Sequence, residues 1–340
     1  LHLSIRRQRQ MCIRDSFKDI RIRHIWVSCF MDESHPLAEK SHALQALADK
    51  AANLLKLRGF SEIPGLETLI TNAIWNPGAL KALREILPDT NRIETQYVSR
   101  DLADPRKQHL DEDTRNKYKF GYDKNTTCLV DFDEPDTCIR ILSPEWDIDG
   151  YYLGREETDY NSIMSLYDAK VGENPPGKES NSVEPPPQPS NVSKRDFRIL
   201  RSSLFNSALS FLQNDDDLKN NTSVVLLLEW RGLRLLFGGD AEWKGKPVAK
   251  GRRNSNWDVM LKVLKNEKHL TEPLDFLKVG HHGSVNGTPF VNKENAKQTV
   301  LDRILPKDGK AIVVVSTIAG KHGKQNEVPY MKLMRELGLR

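Results

Sequence analysis

Two hydrophobic segments that each stop at glycine and then present metal-ligand side chains constrain this 340-residue chain more than any other feature. In LLFGGDAE the apolar run ends at a glycine pair, and Asp240 follows. In LKVGHHGSVNGT the run ends at Gly280, and His281 and His282 follow. Carboxylate and imidazole are ligands that Zn²⁺ accepts, and glycine lets a chain turn sharply or approach a neighbour closely. The pattern predicts two strands whose ends carry part of a metal site.

Either motif alone has a simpler interpretation, because Gly-Asp is typical of a turn and His-His of a solvated loop. In this order and with these strands, NNTSVVLLLEWRGLRLLFGGDAE (Asn220–Glu242) and DFLKVGHHGS (Asp275–Ser284) resemble the metallo-β-lactamase superfamily. The branch they resemble most includes the hydrolase domain of bacterial DNA-uptake channel proteins. The resemblance covers about the last third of the chain. It implies an α/β (α+β) fold, here an incomplete αββα sandwich.

Carried over residue by residue, the resemblance implies that Asp240 bridges two zinc ions and that His281 or His282 completes the second site. A metal-bridging hydroxide would attack a phosphodiester, ester or amide centre of the substrate, with a small molecule as one of the open alternatives. The other histidine would stabilise the developing oxyanion. The sequence does not decide which histidine takes which role.

Three further residues receive weaker roles. Ser284 and Thr288 would orient the histidine loop by hydrogen bonds of the kind that fix imidazole tautomers. His322 follows the last predicted strand, where it would touch the substrate. Its alternative interpretation is a solvent-exposed loop histidine.

The chain departs from the superfamily at the principal signature, since H-x-H-x-D-H occurs nowhere in the sequence. Zinc sites normally use three or four protein ligands. We therefore expect the chain as written to bind zinc poorly and to be inactive, whereas the resemblance implies that the parent protein would be a metal-dependent hydrolase. The alternative is a metal-free relative that uses the fold for binding or assembly. The retention of Asp240 and the histidine pair argues against that alternative, because packing does not demand their chemistry.

The N-terminus suggests why the signature is missing. Residues 1–16 contain MCIRDS, which resembles the translation of an adapter used in sequencing libraries. We interpret this segment as an assembly scar to be left out of fold reasoning. Residues 17–340 would then form a partial hydrolase domain, truncated just after its metal loop.

Charge gives little support for nucleic-acid binding, which stays an open alternative. The formal net charge is +4, and the suspected scar contributes +3 of it through four arginines and one aspartate. The rest of the chain is therefore close to neutral. The only notable basic run, Lys244–Arg253, fits a solvated loop better than a phosphate-binding patch, although its position after Asp240 keeps the second interpretation open.

Cysteine usage and hydropathy predict a cytoplasmic protein without a membrane span. Outside the scar the chain has Cys29, Cys128 and Cys138, an odd number at irregular spacing that favours free thiols in a reducing compartment. No segment approaches the roughly 20 apolar residues of a membrane helix.

The rest of the chain reads as one interrupted domain. Val171–Arg195 holds six prolines and almost no apolar residues, so we expect a disordered insertion. Before the first helix, Asp32, Glu33 and His35 are interpreted as a polar lead-in with Ser34 as the cap. The remaining patterns predict strands at Ile22–Ser28, Thr127–Phe132, Cys138–Leu142 and Ala311–Ser316, a hairpin at Val224–Phe237 turning at Arg231 and Gly232, and helices around Leu44–Leu55, at Phe197–Leu212, at Trp257–Leu264 and from Pro329.

Overall fold

The computed structural model of the chain describes part of its length. The described residues are 24–57, 66–67, 69–71, 73, 94–100, 118–120, 136–153, 193–263, 273–287, 301, 304–305, 310–317 and 328–338. The suspected scar, the predicted strand at 127–132 and most of the proline-rich insertion lie outside these ranges. So do Thr288, His322 and Cys128.

Eight strands and four helices lie in the described ranges, and they make the protein an α/β fold as predicted. Their bounds are β1 His24–Ser28, α1 Glu39–Leu57, β2 Glu94–Ser99, β3 Tyr118–Phe120, β4 Thr137–Ser143, α2 Lys194–Asn221, β5 Val225–Trp230, β6 Leu233–Phe237, α3 Asn256–Val263, β7 Phe276–Val279, β8 Ile312–Val315 and α4 Met331–Gly338. The αββα sandwich remains a prediction.

The strands form two sheets. The smaller sheet is parallel, with strand order β1-β2-β3. The larger sheet is mixed, with order β4-β5-β6-β7-β8. Its first three strands pair antiparallel and its last three pair parallel, so the chain leaves β4, β6, β7 and β8 at one common edge.

The predicted hairpin is confirmed. β5 and β6 pair from Leu226 opposite Phe237 to Trp230 opposite Leu233. Arg231 and Gly232 connect the strands with positive φ values of 50° and 81°. Positive φ at both central residues is the geometry that matches the twist of a two-residue hairpin. The local sequence and the strand pairing agree here.

The two sheets are tied together at the edge where β2 and β4 end. The Arg100 backbone N–H donates to the carbonyl of Pro144 at 2.7 Å, and the Arg100 guanidinium forms a buried ion pair with Glu145. At the end of β1, which is parallel to β2, the Ser28 hydroxyl donates to the carbonyl of Thr222 at the end of α2. These contacts fix the strand ends of both sheets relative to each other.

Helix α1 begins differently from the prediction. The amides of Lys40 and Ser41, together with the Ser41 hydroxyl, donate to the carboxylate of Asp149 at 2.6–3.1 Å. Ser34 instead donates to Asp32, and Asp32 and His35 are buried. The interpretation of Ser34 as the cap was wrong, and the polar lead-in before the helix is partly buried. A residue about a hundred positions away supplies the acceptor that the first turn needs.

Helix α2 packs against α1 and starts earlier than predicted. The α1 side chains Ala48, Ala52 and Leu55 meet Ala208 and Leu212 in one buried cluster. At its start, the Ser193 hydroxyl accepts from the Asp196 amide, so the last two residues of the predicted insertion belong to the helix. The last two predicted helices lie close to their predicted positions. Helix α3 is confirmed, and α4 begins at Met331, two residues after Pro329.

Asp215 on α2 gives the first testable prediction. Its side chain is buried beside Lys219, and burial raises its pKa to about 6. The folded protein therefore binds the proton more tightly than the unfolded chain, so stability is lost as pH rises from about 4 to about 6. Compared with wild type, we expect Asp215→Asn to gain on the order of 2 kcal/mol between pH 4 and pH 7.

Urea unfolding at several pH values measures this difference. Asp216→Asn, the neighbouring change on the same helix, is the matched control and should leave most of the pH slope in place, because Asp216 contributes least to the raised pKa of Asp215. A parallel shift of Asp215→Asn and wild type at all pH values would contradict the assignment.

Helix hydropathy and the state of two cysteines can be compared with the predictions. None of the helices in the described ranges has the length and apolar character needed to cross a bilayer. Cys29 is a buried free thiol. Cys138 is disulfide-bonded. The expectation of free thiols was wrong for Cys138, because irregular spacing in sequence does not report distance in space.

Candidate functional site

The two predicted ligand motifs lie next to each other at one edge of the larger sheet. β6 and β7 are adjacent and parallel, with Phe237 opposite Lys278. The chain therefore leaves both strands at the same edge, and Asp240 and the His281–His282 pair follow directly. β8 ends beside them, with Val315 opposite Val279. The sequence predicted the strands, and the parallel pairing brings their ends together.

Glycine is required where these two strands end. The Gly238 amide donates to Lys278 at 3.1 Å, and the His281 amide donates to Gly239 at 3.0 Å. A Cβ atom on Gly280 would lie 2.6 Å from the Gly239 carbonyl oxygen. Since both groups are backbone, neither can move aside without separating the strand ends. The predicted close backbone approach is confirmed.

After Gly280 the backbone enters a left-handed turn. His281, His282 and Gly283 have φ values of 44°, 55° and 70°. Non-glycine residues in this region cost about 1–3 kcal/mol each when the surroundings hold them there. The turn is held by the Gly283 carbonyl, which accepts from the Tyr330 amide, and by tight packing of Gly283 against Val315. Such strain is typical of functional sites.

The two imidazoles face different surroundings. His282 is exposed, and its Nδ1 donates to the carbonyl of Ser316 at 2.9 Å. A carbonyl only accepts, so neutral His282 carries its proton on Nδ1 and has a free lone pair on Nε2. His281 turns its buried Nδ1 towards Glu242, 3.6 Å from Oε1, and no described residue hydrogen-bonds to that nitrogen.

Asp240 lies at the surface of this edge. It is exposed, and no described residue hydrogen-bonds to its carboxylate. The donor chemistry of Asp240 and the two histidines fits a zinc ion, because the backbone contact of His282 is the outer-shell contact that metal-ligating histidines use. The number of ligands falls short. Among the described residues, no group of three or more His, Cys, Asp or Glu side chains is arranged to hold a metal.

Glu242 is the residue that sequence reasoning missed. It lies two positions after Asp240, yet only 1 % of it is exposed. Its Oε1 accepts from the side-chain amides of Asn220 at 3.1 Å and Asn286 at 2.7 Å, and its Oε2 accepts from Asn221 at 3.1 Å. Three amide donors from two separate segments therefore converge on one buried carboxylate.

Electrostatics around Glu242 is dominated by burial. Desolvation raises the pKa of its carboxyl, and the nearby carboxylate of Asp217 adds to the increase. Lys244, 3.9 Å from Oε2, and His281 act in the opposite direction. The glutamate thus joins the end of α2, the loop after β6 and the histidine turn.

The residues of this hydrogen-bonded cluster around Glu242 are visible in the sequence: Asn220 and Asn221 form the NN before β5, and Glu242 is the E after GGDA. Their role could be interpreted only once the end of α2 and the loop after β7 were known to meet there. Buried carboxylates need several hydrogen-bond donors, and these come from segments far apart in sequence.

Ser284 lies in the histidine loop as predicted. Its hydroxyl donates to Asn286 Oδ1 at 2.9 Å and accepts from the Gly287 amide at 3.0 Å. Ser284 therefore shapes the segment that carries Asn286 to Glu242. Gly287 packs under His281 so closely that a Cβ atom there would lie 2.3 Å from the His281 Cβ.

The basic run after Asp240 is a loop with exposed Lys246, Lys250 and Arg252 side chains, as the prediction of a solvated loop has it, and its backbone is held by hydrogen bonds. The buried Asn254 side chain donates to the carbonyls of Tyr151, Ala249 and Arg252 at 2.6–3.1 Å. The Gly251 amide donates to Gly150. These bonds hold the cationic residues of the loop in defined positions.

Comparisons of the chain with protein families, with curated proteins and with solved structures found no match.

Proposed function

We propose that this chain is part of a zinc-dependent hydrolase of the metallo-β-lactamase type that acts on an ester or phosphodiester substrate. The observation that supports the proposal is the meeting of Asp240 and the His281–His282 turn at the ends of two adjacent parallel strands. A strained turn of two histidines beside an exposed carboxylate has a cost in stability that packing alone does not explain.

The residues of the site would have distinct tasks. His282 keeps its Nε2 lone pair outward because its Nδ1 is bound to Ser316. Glu242 faces Nδ1 of His281 and orients that ring, while the amides of Asn220, Asn221 and Asn286 hold the glutamate. Asp240 presents a carboxylate to the same edge. A zinc ion held there would supply a water of lowered pKa as the nucleophile.

The alternative is a metal-free module that uses this fold for binding or assembly. The observation behind this alternative is the small number of possible metal ligands. The described part of the chain offers no group of three metal-ligand side chains. The two functions differ in their prediction for zinc. A hydrolase site retains measurable zinc affinity through Asp240 and His282, and a binding module does not.

Zinc titration of the purified chain by isothermal calorimetry tests the proposal. We expect weak binding that Asp240→Asn and His282→Ala each reduce about tenfold or more, because each removes a direct ligand. Glu33→Gln, an exposed carboxylate remote in sequence, is the matched control and should leave the affinity unchanged. Equal affinity in all four proteins would overturn the zinc proposal.

The reading frame of the source DNA upstream of Phe17 gives a second test. An H-x-H-x-D-H motif in continuous frame would support the hydrolase and make assays of metal-dependent ester and phosphodiester hydrolysis on the extended protein the next step. A start codon at that junction without the motif would support the binding module.

The proposed location is the cytoplasm. The reduced Cys29 agrees with it, and the disulfide at Cys138 favours an oxidising compartment instead. Labelling of Cys138 with a thiol reagent in cell extracts separates the two, since only the cytoplasmic protein would present a free thiol.

A further inference from the structure

A second concave site lies beside the strand-end site. It is a cavity of about 660 Å³ between the end of α2, the basic loop and the start of α3. Its lining includes four cationic side chains, Lys244, Lys246, Arg252 and Arg253, and two carboxylates, Asp217 and Asp258. The volume is in the range of sites that hold small organic ligands.

The carboxylates of the cavity are already engaged. Asp217 pairs with Lys244 at 3.0 Å. One oxygen of Asp258 accepts from the Ser255 hydroxyl at 2.5 Å and from the Lys246 backbone amide at 3.2 Å. These contacts anchor the loop to α3. The charge of Asp217 is thus paired with that of Lys244, and the Asp258 carboxylate is occupied by hydrogen bonds within the wall of the cavity.

The other cationic side chains of the cavity have N–H donors that can bind a ligand. No described residue binds the Lys246 ammonium or the Arg252 guanidinium, and both residues are exposed. Arg253 donates from one nitrogen, Nη1, to Asn214. Its guanidinium has five N–H donors, so several remain. The cavity therefore presents an excess of positive charge with unused donors.

The loop holds these cations in place before any ligand arrives. Asn254 and Ser255 are buried at 6 % and 1 % exposure, and the Asn254 side chain binds the Arg252 carbonyl. A loop fixed in this way loses little conformational entropy when an anion binds. Arginine and lysine together match the geometry and charge of phosphate oxygens.

We propose that this cavity binds a small phosphorylated ligand, with Lys246, Arg252 and Arg253 contacting the phosphate. The site does not depend on the zinc proposal. It does adjoin the strand-end site, because Lys244 contacts Glu242 on one side while His281 faces Glu242 on the other.

Binding of inorganic pyrophosphate to the full chain tests this, measured by calorimetry at low ionic strength with a chelator present. The chelator removes metal, so failure here and failure of the zinc site are distinguishable. We expect saturable binding that the double variant Lys246→Gln, Arg252→Gln weakens at least about tenfold, since each cation supplies charge-assisted hydrogen bonds.

Lys250→Gln is the matched control. Lys250 lies on the same loop, but its ammonium pairs with Asp147 and is not part of the cavity lining. We expect it to bind pyrophosphate like wild type. Equal weakening in both variants would show a general charge effect and overturn the proposal. The absence of pyrophosphate binding would also overturn the proposal. This includes the case in which a single-stranded oligonucleotide binds and pyrophosphate does not.

Discussion

Replacing Glu242 with alanine is expected to lower the unfolding free energy by on the order of 4 kcal/mol. The change removes the shared acceptor of the side-chain amides of Asn220, Asn221 and Asn286, of which Asn221 is buried and Asn220 is half-buried. Each unsatisfied buried donor costs about 1–3 kcal/mol. Equilibrium urea unfolding measures the loss, and an unfolding midpoint equal to that of wild type would show that the hydrogen-bonded cluster around Glu242 does not stabilise the fold.

Glu242→Gln separates the hydrogen bonds from the charge. Its carbonyl oxygen can still accept from Asn220 and Asn286, but its amide then faces the Asn221 amide, which cannot turn because its oxygen accepts from Asn256. We expect an intermediate loss. The variant also removes the titration of residue 242. Because burial raises the pKa of Glu242, the stability of the wild type decreases as pH rises through that pKa. In Glu242→Gln this part of the pH dependence of stability should disappear.

A readout specific to the site accompanies these variants. Since Glu242 lies 3.6 Å from His281 Nδ1, the imidazole proton chemical shifts of His281, recorded at one fixed pH, should differ between Glu242→Gln and wild type. The His282 chemical shifts should stay as in wild type, because that ring binds Ser316 and not Glu242. Equal changes at both histidines would indicate a general structural disturbance rather than positioning by Glu242.

Gly280→Ala is expected to destabilise the fold by about 3 kcal/mol. The new Cβ would lie 2.6 Å from the Gly239 carbonyl oxygen, so the ends of β6 and β7 must separate. That movement also breaks the hydrogen bond from the His281 amide to Gly239. Urea unfolding gives the stability loss, and amide hydrogen exchange at His281 reports the broken bond.

Gly338→Ala provides the control, because a Cβ on Gly338 meets nothing within 4 Å. It should leave stability unchanged or slightly raise it, as expected for alanine in place of glycine in a helix. If Gly280→Ala retained both wild-type stability and slow exchange at His281, the close approach of the two strand ends would be wrong.

The sequence anticipated the regular elements of the larger sheet well. The hairpin, β7, β8 and α3 each combine a hydrophobic run of suitable period with a turn or glycine at its end, and these signals are local. The site was anticipated in part for the same reason. Asp240 and the two histidines each follow such a strand, and the parallel pairing of β6 and β7 then places them at one edge.

The sequence by itself thus determined where strands begin and end and where ligand-type side chains follow them, because backbone preferences and hydrophobic period act over a few residues. Only the tertiary structure decided the rest. Asp149 caps α1, Glu242 is buried beneath three asparagines, and the basic loop is fixed by Asn254. In each case one polar side chain is satisfied by partners from distant segments. The sequence does not distinguish a polar residue that is solvated from one that is buried. Only the fold supplies the hydrogen-bond donors and acceptors that permit burial.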